Sequence, residues 1–279
     1  MFLSSYIKTG EEYSVNRFLI MLVVQLMIFV IPAIIYKRIQ GPINYRELGV
    51  APFRASGLIL AVCAAITMFS AAVLMGLDSR ADAGGFSVDL SQISLPGILY
   101  VVVIYCLLPA IFEEITFRSV IYGEYRKFGI PGAVLLSSVL FALMHFSLSG
   151  FFTYFTCGVV LALVYEVTRS IFVSMIVHFI YNLLSVFSYR ILNDAAEKAD
   201  SLIPFIFVFA SLLLLFLFFS LSRAQRLLEL YAQTIPESEN GEYPKLTERL
   251  RALLISVVSP GFVLCIGFAF IAGIMKIRQ

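Results

Sequence analysis

The chain has 279 residues, of which 60% are hydrophobic and 14% charged, and its mean hydropathy is +0.94, a composition no soluble globular domain approaches. A net charge of +2, with basic residues scattered rather than clustered, excludes a polyanion-binding surface and nucleic acid as a partner. The four cysteines, Cys63, Cys106, Cys157 and Cys265, lie in apolar runs without CxxC spacing, so they read as small buried hydrophobes rather than a disulfide framework or zinc knuckle.

Phe18–Tyr36 is too long for a signal-peptide core and has no small-residue cleavage site behind it, so it is expected as a retained first span. A loop carrying Lys37, Arg38, Arg46 and Arg54 leads to a second span, Gly57–Leu77. An acidic loop with Gly84–Gly85 follows, and Pro96 stands where a third helix can begin and run to about Tyr125. Arg126, Lys127, Gly129 and Pro131 mark a turn. Spans are then expected at Pro131–Phe146, Phe151–Val167, Ile171–Leu192 and Ile203–Leu221, the last two separated by acidic Asn193–Asp200. A polar loop, Ser222–Arg251, holds Pro236, Gly241 and Pro244 and precedes a last span, Leu253–Met275. The expectation is an all-α polytopic transmembrane bundle of about eight spans, of about 16 to 23 residues against the roughly 20 that cross a bilayer upright. No internal repeat is present, so residues 1–279 are expected to form one membrane-embedded domain with its motif-bearing core at about 96–192. Basic residues favour the loops after spans one, three, five and seven, which places those loops in the cytosol and both termini outside. Glu113 then lies about 25 Å from the outer end of its helix, nearer the cytosolic face.

The stretch Leu107–Arg118, LLPAIFEEITFR, drives two carboxylates and a guanidinium into an apolar run. Each such charge costs about 2.5–3.5 kcal/mol at a helix centre on insertion scales, so it marks either a functional site or a structural ion pair. Helical phase sorts them: Glu114 and Arg118 lie about 40° apart with the acid first, the favourable pairing order, and leave Glu113 free to face a cavity. Both histidines of the chain also stand in apolar runs. His145 closes Phe141-Ala-Leu-Met-His145, and His178 shares a helix face with Asn182 four residues on.

One carboxylate, two imidazoles and one amide from three helices suit two chemistries. Glu113, His145 and His178 can hold Zn²⁺ with a position open for water. Alternatively, Glu113 acts as general base on water, with the histidines and Asn182 as oxyanion donors. Both lead to hydrolysis. The aspartates, Asp78, Asp82, Asp89, Asp194 and Asp200, fall in predicted outer loops, so no two-aspartate site forms within the spans, and neither HExxH nor GxSxG occurs. Two non-enzymatic readings use the same groups: an ion-coupled transporter, or a silent peptide-binding scaffold or immunity protein.

Glu113-Glu114-x-x-x-Arg118, Phe141-x-x-x-His145 and His178-x-x-x-Asn182, in that order over roughly residues 96–192, resemble the three motifs of the CPBP family of intramembrane proteases. That family includes the type II CAAX prenyl endopeptidases and bacterial members linked to bacteriocin processing or self-immunity. The resemblance implies an all-helical membrane fold and endopeptidase activity, with Glu113, His145, His178 and Asn182 lining the site and Glu114 and Arg118 supporting it. It also implies a membrane-associated peptide or protein substrate, prenylated or otherwise CAAX-like, and a setting in the bilayer of a bacterial plasma membrane.

Overall fold

The computed structural model describes residues 15–40, 49, 55–76, 93–126, 129–234 and 245–277, all helical apart from short connections and without a strand. The loop residues Arg46, Arg54, Gly84, Gly85, Lys127, Pro236, Gly241 and Pro244 lie outside them.

Helix α1 is wound as Val15–Gln25, a π segment Leu26–Val30, and Ile31–Gln40. α2 is Ala55–Gly76 and α3 is Leu95–Arg126. α4 is Ile130–Met144, α5 Phe151–Thr168, α6 Ile171–Lys198 and α7 Ile203–Thr234, followed by α8, Leu246–Val258, and α9, Pro260–Ile277. Among the described residues six helices are long and apolar enough to cross a membrane: α1, α2, α3, α5, α6 and α7. Ile130–Met144 and Phe262–Met275 are shorter apolar helices. The protein is therefore a multi-pass membrane protein, and helices suit it because their backbone groups are satisfied within the segment where lipid offers no partner.

Three boundaries depart from expectation, each for a local reason. The last predicted span is split, since Pro260 has no N–H to continue a helix and Ser259, just before it, turns extended at φ −59°, ψ 141°. The Ser259 hydroxyl then accepts from Phe262 N–H at 3.4 Å, capping the new start. Polar Ser222–Thr234 was expected in a loop but continues α7, and acidic Asn193–Lys198 continues α6. Arg, Ala, Gln, Leu and Glu are good helix formers, and Gln225 donates to Glu229 at 2.8 Å across one turn. Cys63, Cys106 and Cys157 are buried as expected, but Cys265 is exposed on α9.

The core lies among α2 to α6. Ala61, Ala64, Ala65 and Met68 of α2 pack with Phe117 of α3, Phe141 of α4, Cys157 and Leu161 of α5, and Val173 and Val177 of α6. Small residues let these helices approach closely, which in lipid substitutes for a hydrophobic driving force between helices. The polar side chains of the site are set into this core.

Candidate active site

Helix α3 carries the two glutamates on an irregular winding. Pro96 lies in its first turn and Ser94 Oγ accepts from Gly97 N–H at 3.4 Å. Further on, Pro109 removes a backbone donor, and the turn before it, Val102–Leu107, opens into a π segment with Leu108 N–H on Val103 C=O. In that register the carbonyl left without a partner is Ile104, and Gln25 Nε2 of α1 donates to it at 3.3 Å. A second π segment, Ile115–Tyr122, follows, and Thr116 Oγ1 reaches back to Phe29 C=O of α1 at 3.1 Å. Glu113 and Glu114 thus end a seven-residue α segment, Leu108–Glu114, framed by two π segments and pinned from α1.

Glu114 and Arg118 are fully buried, with Arg118 Nη1 3.0 Å from Glu114 Oε1, the contact their spacing predicts. Arg118 Nη2 donates to Gly158 C=O on α5 at 3.1 Å, and its guanidinium carbon lies 4.8 Å from the Phe141 ring centroid. Gly158 is where α5 meets α4: a Cβ there would stand 2.9 Å from Ser138 Cα. The Nη1 contact is an ion pair rather than an aligned hydrogen bond, since Arg118 Nη1 and Nε and Glu114 Oε2 find no hydrogen-bond partner.

His178 joins both carboxylates. Its Nδ1 is 3.0 Å from Glu114 Oε1 and its Nε2 is 3.8 Å from Glu113 Oε2. An ionised carboxylate only accepts, so Nδ1 carries a proton and Nε2 is the nitrogen presented to Glu113. Glu113 Oε2 is buried and accepts no hydrogen bond. His145 sits just past the end of α4, its Nδ1–H donating to Phe141 C=O at 2.8 Å, so that Nε2 is the nitrogen turned away from that carbonyl. Phe141 touches both imidazoles, with centroids 4.9 Å from His145 and 5.8 Å from His178. Asn182, one turn beyond His178, donates Nδ2–H to Cys106 C=O on α3 at 3.4 Å.

The fold therefore brings Glu113, Glu114, Arg118 and His178 into direct contact and sets His145 and Asn182 at the borders of that group. It does not close Glu113, His145 and His178 into a three-ligand set: among the described residues no group of three His, Cys, Asp or Glu side chains is gathered as a metal would need. The donor types suit Zn²⁺, but their placement does not. Three features escape sequence reasoning. Glu114 orients His178 as well as pairing with Arg118, Gly158 supplies a carbonyl to the guanidinium, and the Tyr154 ring stacks on His145. The first two have no local signal, because the partners come from helices 64 and 40 residues away, and the third depends on a short connection whose conformation periodicity does not specify.

Fold and site together define a helical multi-pass membrane protein with a desolvated carboxylate–imidazole centre. Residues 95–184 match the family model described as Type II CAAX prenyl endopeptidase Rce1-like. That segment holds all three motifs, so the resemblance drawn from them is borne out, and it is similar to a family of proteases. No curated protein and no solved structure matches the chain.

Proposed function

We propose that the protein is an intramembrane endopeptidase that hydrolyses a peptide bond of a membrane-associated, CAAX-like peptide, with the centre nearer the cytosolic face. The observation that carries this is the Oε2 of Glu113, buried and without a hydrogen bond 3.8 Å from His178 Nε2. The Glu113 side chain keeps 11% of its surface exposed, so a water can reach the carboxylate beside Oε2 and come within hydrogen-bonding distance once the carboxylate turns toward it.

Glu113 takes a proton from this water as its oxygen attacks the scissile carbonyl, and returns it to the leaving amine. His178, when protonated, directs Nε2–H toward the developing oxyanion, while Glu114 on Nδ1 steadies the imidazolium and fixes its orientation. Asn182 has a second amide N–H beyond the one on Cys106 and serves as a further donor, while His145, its Nδ1–H spent on Phe141 C=O, serves as an orienting contact that accepts at Nε2. Arg118 holds Glu114 against α5 and takes no part in proton transfer. Direct activation is preferred over zinc on the placement of the three candidate ligands. Transport is disfavoured because α3, though wound partly as π helix, stays continuous through the glutamates.

The test is cleavage of synthetic prenylated and unprenylated peptides by purified protein in liposomes, read by mass spectrometry. Glu113→Gln should lower kcat about 10²–10⁴-fold, because an amide cannot act as base. Asn182→Ala should lower kcat more than it raises KM. Activity that vanishes with a strong chelator and returns in proportion to added Zn²⁺ overturns the direct-water mechanism, and product from Glu113→Gln at the wild-type rate overturns the assignment of the base.

A further inference from the structure

His145 is the one candidate side chain of the site that lies outside a helix. It lies beyond the last residue of α4, its own N–H folding back to Ala142 C=O at 3.2 Å. Its ring lies against Phe141, with centroids 4.9 Å apart, and two further contacts bear on its orientation. The Nδ1–H bond to Phe141 C=O decides which nitrogen faces away from the helix, and a near-parallel stack on Tyr154, with centroids 3.8 Å apart and planes at 18°, decides the plane of the imidazole.

The connection between the two residues is shaped around that stack. Phe146, directly after the histidine, has φ +49°, a left-handed conformation that bulky residues rarely adopt. Gly150 donates its N–H to Ser147 Oγ at 3.1 Å, closing the turn. A Cβ at Gly150 would stand 2.8 Å from Tyr154 Cε2 and 2.9 Å from Ser147 Oγ, so any larger residue there displaces the aromatic ring. Tyr154 N–H bonds Gly150 C=O at 3.0 Å, which ties the ring-bearing turn of α5 to the same glycine. A strained residue, a side-chain-capped turn and a glycine forced by close approach converge on one result, the Tyr154 ring laid flat on the imidazole.

We propose that Tyr154 is a positioning residue for His145, its ring holding the imidazole plane so that Nε2 points into the hydrolytic centre. This role rests on the protease reading above. It assigns the hold on His145 to the aromatic face, so phenylalanine should keep the imidazole in place where leucine does not.

Having only two histidines, the protein allows a readout that needs no substrate. In histidine-labelled protein in detergent micelles, the His145 ring signals, assigned with His145→Gln, should carry an upfield ring-current shift. Tyr154→Leu should abolish that shift and leave the His178 signals in place, while Tyr154→Phe should retain it. In the cleavage assay Tyr154→Leu should lower kcat at least tenfold with KM within about twofold, and Tyr154→Phe should recover most of the loss, since a displacement near 1 Å can cost about 10²-fold. His145 signals that do not move in Tyr154→Leu, or a phenylalanine variant that behaves like leucine, overturn the proposal. A wild-type protein that cleaves nothing overturns the protease reading alone, because the imidazole signals still decide whether Tyr154 holds the ring.

Discussion

Helices α3 and α5 are joined by two buried carboxylate clusters that handle their charge in opposite ways. At Glu166 every lone pair that matters is engaged: Tyr122 Oη donates to Oε2 at 2.7 Å, Arg126 donates to both oxygens at 2.8 and 3.0 Å, and Arg169 Nη2 approaches Oε1 at 2.7 Å. At the glutamate pair, Glu114 is shared between Arg118 and His178 while Glu113 Oε2 accepts nothing. A saturated buried network rigidifies, whereas an unsatisfied one costs stability and persists only where something else selects it. The first cluster locks the ends of the two helices together. The second keeps an acceptor in reserve.

The largest expected effect breaks the second cluster at its cation. Arg118→Ala leaves Glu114 buried beside His178 without its guanidinium and should destabilise the protein by about 3–5 kcal/mol. Arg118→Lys should recover little, since an ammonium cannot reach Glu114 and Gly158 C=O with a planar fork. Unfolding in detergent monitored by helix content measures both. A wild-type unfolding midpoint in Arg118→Ala would show that the guanidinium is not the structural partner of Glu114.

Much of this site could be read from the chain. Apolar runs located the helices, the four-residue spacing paired Glu114 with Arg118, and the isolation of His145 and His178 in apolar sequence singled them out. What stayed hidden depends on where other helices fall. Periodicity assumes uniform α winding, so it cannot anticipate that Val102–Leu107 and Ile115–Tyr122 unwind to π, or that Gln25 would cover the Ile104 carbonyl. Hydropathy marks what lipid tolerates and not where a helix stops, so the polar turns after Leu221 went unrecognised as helix. The break at Pro260 had a signal, a serine–proline pair inside an apolar run, that overall hydrophobicity outweighed. Glu166 stood at a span end, where a carboxylate needs no special account, and only its three partners reveal the lock.

A middle-sized effect tests whether the two clusters depend on the same helix spacing. Gly158→Ala places a Cβ 2.9 Å from Ser138 Cα, and backbone cannot yield as a side chain can, so α4 and α5 must part. Overpacking of this kind costs about 1–3 kcal/mol. The shift also draws Gly158 C=O away from Arg118, so cleavage should fall together with stability. Loss of stability with unchanged kcat would mean that the guanidinium tolerates the displacement and that the site is less tightly coupled to α5 than its contacts imply.

The smallest effect is the most informative about the contrast itself, because it compares one isosteric change at both clusters. Glu166→Gln removes the charge that two guanidiniums share and turns an N–H₂ toward donors. Arg126 and Arg169 side chains are 31% and 48% exposed, so they can turn to water and limit the cost to about 1–2 kcal/mol. Glu113→Gln removes a charge whose Oε2 has no hydrogen bond to lose, and stability should stay within about 0.5 kcal/mol of wild type, below the net worth of one ordinary hydrogen bond. The two variants should therefore separate on opposite axes, Glu166→Gln in unfolding and Glu113→Gln in turnover. If Glu113→Gln unfolds as readily as Glu166→Gln, then Glu113 is a second structural carboxylate and the reserve acceptor does not exist. If it is as stable as wild type and inert, the unsatisfied oxygen is there for a proton that arrives with the substrate's water.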